Sequence, residues 1–346
     1  MNVQEQIETL EATALLGTHK RQSIELADRI ALQLDADERP DLALRLLIRR
    51  FLASPHIPET LSQLSTAEAW ATSEGETSLA LELQLIWCRY VGLKDPEAVP
   101  LDVLDQAVDE AQAVGILDAE WRLALAAVHP SKGLVLREEA LQYLTGPGQV
   151  HDRLLVHLEL ASDRNKGADI LGALSHLEQA YELASAHQDP TQMCVCATRL
   201  GLHYIERGLA ENAVGYLERA LQLAISEDND LQVIVLATIL STIYLQAGKH
   251  EKVEHAADLL LVAGARRANW FAVVDGHILR SSLSLVEGDA PAAIERLVRA
   301  IVRLRELVPA AAINLLKGRL AELRHQLGDD VFDQHYRSAV GANQAL

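Results

Sequence analysis

The sequence predicts an all-α protein made of helical hairpins that stack in a linear array. Three observations lead to this prediction: a composition that favours helices, a forty-residue period in the second half, and one apolar stripe on each predicted helix. Leucine, alanine and charged residues dominate, whereas phenylalanine occurs only three times in 346 residues. Because strands draw on aromatic and β-branched side chains, we expect the chain to fold without a sheet.

The charge balance narrows the classes of partner. The 49 acidic side chains outnumber the 31 basic ones, which gives a net charge of −18. A nucleic-acid partner is therefore not expected, because neutralising phosphates requires a surplus of basic groups. The acidic surplus fits a basic protein or peptide partner, and it also fits a surface that is simply kept soluble by its charge.

Cysteine content and the amino terminus indicate the compartment. The three cysteines, Cys88, Cys194 and Cys196, are an odd number and give no disulfide framework. The segment Met1–Leu16 is acidic where a signal peptide would begin with basic residues and continue with apolar ones. No uninterrupted apolar run reaches the length of a membrane span. We expect a cytoplasmic protein that does not enter a membrane.

A forty-residue period runs through the second half of the chain. A glycine recurs at this spacing, a small residue stands seven places before it, and a leucine stands one place earlier still. Apolar or small residues also recur five, nine and twelve places after the glycine position. The glycines are Gly208, Gly248, Gly288 and Gly328, and the small residues are Ala161, Gly201, Ser241, Ser281 and Ala321. The leucines are Leu160, Leu200, Leu240 and Leu320, with Arg280 as the exception. The residues five places after the glycine position are Ala173, Ala213, Val253 and Ala293, those nine places after are Leu177, Leu217, Ala257 and Leu297, and those twelve places after are Ala180, Ala220, Leu260 and Ala300.

Each column has a physical role in a helical hairpin. The leucine packs inward, the small residue lets a second helix approach, and the glycine ends the first helix in a left-handed cap. The apolar positions recur every three to four residues, so each helix has one stripe to bury. A single hairpin cannot cover that stripe, so neighbouring hairpins must stack.

These columns resemble the pattern of the tetratricopeptide repeat family. The pattern runs Leu-Gly, Tyr, Gly, Ala, a large apolar residue and Ala, and it is best matched at Leu200, Gly201, Tyr204, Gly208, Ala213, Leu217 and Ala220, and again at Leu240, Ser241, Tyr244 and Gly248. The resemblance implies a right-handed superhelix of α-α hairpins. The unit here is longer than the family's usual 34 or so residues, and it is similar to the extended repeats of bacterial regulator sensory domains and adaptor proteins. A HEAT-type repeat has a similar period, but it would not require the column of small residues.

The repeats suggest two sections, an irregular and acidic one over residues 1–148 and a regular one over residues 149–346. Residues 1–150 hold 24 acidic and 12 basic side chains, and Gly146, Pro147 and Gly148 form a run that is either a hinge or a long turn. The irregular section predicts six helices, and a last polar helix, Val331–Val340, is expected to cap the array. The six predicted helices are Asp41–Ala53, Glu59–Ala71, Ser78–Val91, Leu101–Val114, Asp118–Val128 and Leu136–Leu144.

Tests for catalytic and metal-binding motifs give no candidate. His250, Glu251 and His255 resemble a zinc-protease helix, but the histidines are five apart where that motif requires four. Residues Gly167–Gly172 have the glycine spacing of a phosphate loop without its lysine and hydroxyl. We therefore expect neither an enzyme nor a metal or other cofactor.

The resemblance implies a protein- or peptide-binding scaffold or adaptor that uses the concave groove lined by the first helices. The alternative is a sensory subunit whose groove takes a small signal molecule or a signalling peptide. Carrying the family's groove positions onto this sequence gives an apolar and hydroxylic lining, namely Leu158, Ser162, Thr198, Leu202, Ile205, Thr238, Thr242, Leu245, Ile278, Ser282 and Leu285. Such a lining suits an amphipathic helix or an extended segment.

Several questions stay open at the level of sequence. The groove positions of the central repeats lack the basic residues with which some members of the family hold acidic peptide tails, so capture of such tails is not expected. The amphipathic stretch Val3–Leu16 could fill the groove in place of a partner. The partner's identity and the oligomeric state do not follow from the sequence.

Overall fold

The computed structural model describes residues 4–7, 25, 27–29, 39–53, 61–95, 98–129 and 131–344. Within these ranges every regular element is an α-helix or a single 3-10 turn, which confirms the all-α prediction. The chain divides into two compact units, residues 1–183 and 184–346. The first unit carries 30 acidic and 15 basic side chains, and the second carries 19 and 16. Most of the net negative charge therefore belongs to the first unit.

In the first unit, several helices pack on the helix that follows them in the chain. In chain order they are α1 (Pro40–Ala53), α2 (Leu61–Ser73), α3 (Thr77–Lys94), α4 (Leu101–Val114), α5 (Ala119–Ala126), α6 (Gly133–Tyr143) and α7 (Val150–Lys166). The Gly-Pro-Gly run leads into a 3-10 turn, Pro147–Gln149, between α6 and α7. Arg137 of α6 reaches across to Glu159 and Asp163 of α7 at 2.9 and 2.8 Å. These ion pairs tie α6 to the first regular repeat.

The second unit contains the regular hairpins. Helix α8 (Ile170–Ala186) runs across the boundary between the units, and it is followed by α9 (Pro190–Ile205), α10 (Ala210–Ser226), α11 (Asp230–Gln246), α12 (His250–Arg266), α13 (Trp270–Val286), α14 (Ala290–Leu304), α15 (Ala310–Leu327) and α16 (Asp329–Gln344). Each helix from α9 to α16 packs on the next in the chain. Odd-numbered members of this set are the first helices of their hairpins, and even-numbered members are the second helices.

The predicted helices agree with the described elements to within a few residues, except where the structure gives no description. Residues 54–60, which include the start of the second predicted helix, lie outside the described residues, as does most of Val3–Leu16. Over the described part of the chain, none of the helices combines the length and the apolar character that crossing a bilayer demands. The boundary predicted between residues 148 and 149 stays a prediction.

Burial confirms the packing roles of the repeat columns. The leucine column and all three columns after the glycine are buried, whereas Arg280, the exception, is half-buried and pairs with Glu254 and Asp258 of α12. The small column is needed most at Gly201, because a Cβ atom there would lie 2.5 Å from Leu217 Cγ. At Ser281 the small side chain is buried and its hydroxyl donates to the Ala293 carbonyl at 2.9 Å. Ala321, by contrast, is exposed.

Residues with positive φ follow helices on both sides of the hairpins. All four predicted glycine caps have a positive φ, between 65 and 83°. At Gly328, however, ψ is 153°, so this glycine is not in the left-handed helical conformation that the cap prediction requires. Three of the second helices, α8, α10 and α12, are followed by residues with positive φ that are not glycine, namely Gln188, Asp228 and Ala268, whereas α14 ends at Arg305 with a φ of −52°. Each of these three residues is followed by an Asp or Asn whose side chain accepts a backbone N–H three residues later, as Asn269 does from Ala272 at 3.3 Å.

Replacing Ala268 by glycine is expected to raise the free energy of unfolding by about 1 kcal/mol, because a Cβ atom is strained at the φ of 50° found there. Ala268 is exposed, so the change should remove no packing. The measurement is urea denaturation followed by circular dichroism.

Ala265→Gly is the matched control, since Ala265 is equally exposed but lies one turn earlier in regular α-helix. There glycine should cost about 0.5–1 kcal/mol. Destabilisation by both changes would contradict the strain assigned to residue 268.

Candidate functional site

The first helices of the second unit form one continuous face. Helix α11 contacts α13, and α13 contacts α15, in addition to the contacts that each makes with its second helix. Because the hairpins share one register, residues forty apart occupy equivalent places on this face. We call it the first-helix face, and its positions on α9 are 191, 195, 198, 202 and 205. Their spacing of three and four residues places them on one side of a helix.

Large apolar side chains are exposed along this face. Six of them, with 36 to 56% of their surface exposed, lie at the first-helix positions: Val195, Leu202, Leu231, Val235, Phe271 and Leu315. The four first helices that present them, α9, α11, α13 and α15, all belong to the second unit. Exposed apolar groups that line up across successive helices mark a contact surface more often than scattered ones do. We call these six residues the apolar stripe.

The predicted groove residues of the second unit lie on the same face, nearer to the C-terminal ends of the first helices. Leu202, Thr238 and Thr242 are exposed. Half-buried positions are Ile205, Leu245, Ile278, Ser282 and Leu285. Thr198 is buried, so it presents little surface to a partner.

Threonine hydroxyls on the first-helix face are bonded to their own helices, which makes the face more apolar than its composition indicates. The hydroxyl of Thr198 donates to the Cys194 carbonyl at 2.8 Å, and that of Thr238 donates to the Ile234 carbonyl at 2.9 Å. A hydroxyl that is bonded to its own helix has its donor occupied, as is common for threonine within helices. What the exposed Thr238 offers to a partner is therefore chiefly its methyl group.

Two predicted groove residues lie in the first unit. Leu158 and Ser162 are both on α7, where Leu158 is only 4% exposed and Ser162 is exposed. Leu158 is part of the hydrophobic interior of that unit. It therefore differs from Leu202, Leu231 and Val235, which are open to solvent.

The groove positions carried over from the tetratricopeptide family do not include the amino-terminal part of the first-helix face. Five exposed apolar residues precede the predicted positions along their helices, namely Leu231, Phe271, Val195, Val235 and Leu315, and all of them except Val195 are more exposed than the predicted Leu202. The signal was present in the sequence, because these residues share the forty-residue register and lie one or two turns before Thr198, Thr238, Ile278 and position 318.

One acidic side chain interrupts the apolar stripe. Asp275 occupies the place that Val195, Val235 and Leu315 hold in the other first helices. The side chain is half-buried, and this burial raises the pKa of its carboxyl group above the usual value for an aspartate. Farther along the face, Arg319 donates to the Ser282 hydroxyl at 3.3 Å and pairs with Glu322 at 2.6 Å.

A cleft lies within the first unit. It has a volume of about 230 Å³ and is lined by apolar groups together with the buried side chains of Arg89, Glu120 and Asp152. Its charges already have partners: Arg49 lies 3.6 Å from Glu120, and the Arg89 guanidinium donates to the Leu52 carbonyl at 3.3 Å. The cleft is thus held by internal pairs. Over the described part of the chain, no three His, Cys, Asp or Glu side chains converge as metal ligands would.

Comparison with known proteins adds evidence on the fold. No family model and no curated protein matches the sequence. The crystal structure of the apo form of RapI is similar over 99% of this chain and 97% of that one, with 13% identity and a TM-score of 0.59. A signal transduction ATPase with numerous domains, with a tetratricopeptide repeat sensor, from Pyrococcus horikoshii is similar over 92% of this chain and 50% of that one, with 14% identity and a TM-score of 0.61. The chain therefore has the α-α repeat fold of the tetratricopeptide type, as its forty-residue columns predict.

Proposed function

We propose that the second unit binds a peptide or a protein segment on its first-helix face and that the protein acts as a scaffold or adaptor. The observation that carries this proposal is the apolar stripe, in which exposed side chains from four first helices continue one another across the repeats. Solenoid repeats present extended surfaces of this kind to their partners. An amphipathic helix or an extended segment would place its apolar anchors along the stripe.

The proposal involves binding alone and no chemical step. We also propose that the protein is cytoplasmic. Support comes from Cys88, Cys194 and Cys196, which are free, buried thiols of the type that persists in a reducing compartment.

Replacing Val235 and Phe271 by aspartate is expected to weaken partner capture at least about a hundredfold, because two charges would then lie where apolar anchors bind. The two side chains are 42% and 53% exposed, so the fold should tolerate the change. The measurement is affinity capture from the source organism with quantitative mass spectrometry, followed by the dissociation constant of the captured partner.

The matched control is Ile225→Asp with Val262→Asp. These two residues are 43% and 52% exposed, but they lie on the second helices α10 and α12. The control should bind like the wild type. Equal loss in both variants, or retention of binding in the stripe variant with its helicity intact, would overturn the proposal.

A sensory role is the second candidate. It is favoured by the similarity to the Pyrococcus horikoshii protein, a signal transduction ATPase with a tetratricopeptide repeat sensor. In that case the ligand of the first-helix face would be a signalling peptide or a small signal molecule. Hydrogen exchange distinguishes the two roles: a sensor should change protection far from the stripe when the ligand binds, whereas a scaffold should change it only at the stripe.

A further inference from the structure

We propose that the first-helix face selects a peptide carrying one lysine or arginine between apolar residues, and that the carboxylate of Asp275 receives this basic group. This inference rests on the proposed function and specifies the chemistry of its partner. It begins with the position of Asp275. Among the first-helix positions of α9, α11 and α13, Asp275 is the one charged residue.

Asp275 differs from several other acidic side chains of the second unit. Within the described residues no hydrogen bond or ion pair reaches its half-buried carboxylate, whereas the following acidic groups are paired. Asp258 pairs with Arg280, Glu218 with Lys252 and the Tyr244 hydroxyl, and Asp230 with Arg266 at 3.5 Å.

Leaving a carboxylate half-buried without a partner is costly. Loss of hydration disfavours the charged form, and here it raises the pKa of Asp275. A basic group from a ligand would supply the missing counter-charge at a site that is already partly shielded from water, where ion pairing is stronger than at an open surface.

The surroundings of Asp275 specify the remainder of the ligand. Phe271 lies one turn before it on the same helix, and Ile278 lies nearly one turn after it. The equivalent positions on the neighbouring first helices are Val235 and Leu315, both exposed and apolar. A ligand that crosses α11, α13 and α15 would therefore meet an apolar surface, then the carboxylate, then a second apolar surface.

The net charge agrees with this assignment. The second unit, which carries the first-helix face, has 19 acidic and 16 basic side chains, so its own charge balance is negative and favours a basic ligand over an acidic one. The alternative occupant, a wholly apolar segment, would leave the Asp275 carboxylate buried without compensation, and it is one of the outcomes of the following test.

The probe is a phage-displayed library of random peptides, panned against the full chain. We expect enriched sequences to carry a lysine or arginine flanked by apolar residues. A synthetic enriched peptide and its twin with the basic residue replaced by methionine are then titrated against wild type, Asp275→Asn and Glu251→Gln. Glu251 is an exposed acid on α12 and serves as the charge-matched control.

Asp275→Asn should weaken the basic peptide about ten- to a hundredfold and leave the methionine twin nearly unchanged, as expected for loss of one charge-assisted contact. Glu251→Gln should change neither affinity. Asp275→Lys should instead enrich peptides with aspartate or glutamate. Thermal unfolding of each variant checks that the fold is kept.

The outcomes separate the two proposals. Enriched peptides without a basic residue, or equal affinities of Asp275→Asn and wild type for the basic peptide, would overturn the role of Asp275 alone. If no peptide is enriched, or if the enriched peptides bind equally to the variant with aspartate at positions 235 and 271, the proposed function fails as well.

Discussion

Replacing Trp121 by alanine is expected to lower the free energy of unfolding by about 3–5 kcal/mol, the largest effect among the substitutions considered. Trp121 is 1% exposed and lies in the main core of the first unit, which also contains Leu85, Leu104 and Leu125. Truncation would remove a large buried apolar area and leave a cavity that fixed helices cannot close. Urea denaturation followed by circular dichroism measures the loss.

Two further variants make the test of Trp121 specific. Among the described residues the Trp121 indole N–H has no hydrogen-bond acceptor, so Trp121→Phe removes an unsatisfied donor together with some volume. Its cost should be about 1–2 kcal/mol, well below that of alanine. Leu93→Ala, at a side chain that is 45% exposed, should cost less than about 1 kcal/mol. A loss at Trp121→Ala no greater than at Leu93→Ala would contradict the burial of Trp121.

Leu217→Ala is expected to cost about 2–5 kcal/mol, because this fully buried side chain lies between α9 and α10. Gly201→Ala should cost about 1–3 kcal/mol for the opposite reason, since the added methyl group would lie 2.5 Å from Leu217 Cγ. Both values are free energies of unfolding from the same urea titration.

The double variant tests the contact itself. The methyl group added at residue 201 would enter space vacated by Leu217, so the two changes together should cost about 0.5–3 kcal/mol less than their sum. Gly215→Ala combined with Leu217→Ala is the control, because nothing lies within 4 Å of a Cβ atom at Gly215. Strict additivity for residues 201 and 217 would show that the two helices do not meet there.

The hairpin architecture could be predicted because each element of the repeat has a chemical signature. Glycine at 208, 248 and 288 indicates a left-handed cap, and Gly201 indicates a close crossing of helices. The ends of the second helices lacked such a signature. Gln188, Asp228 and Ala268 are left-handed without being glycine, and only the Asp or Asn that follows each of them hints at the turn.

The candidate site was only partly predictable. Leu202, Thr238 and Thr242 were placed on the first-helix face through the family's groove positions, and they are exposed there. Exposure at the other end of the face depends on how far each helix overlaps its neighbour, which is a tertiary property. Phe271 and Leu231 could therefore not be distinguished from core residues by periodicity alone, because buried and exposed apolar stripes have the same spacing.

The shared backbone geometry of the glycine caps has a consequence for how this chain can vary. Gly208 and Gly248 have nearly the same φ, 71 and 65°, and each closes a first helix at the same point of its hairpin. Residues 209–248 are therefore an interchangeable module, whose loss or duplication would rejoin the chain without altering the conformation at the junction. Each such event would remove or add one first helix, and with it one set of positions on the first-helix face. If the first-helix face binds a peptide as proposed, the length of peptide that it contacts would therefore change in whole steps, independently of the side chains on any single first helix.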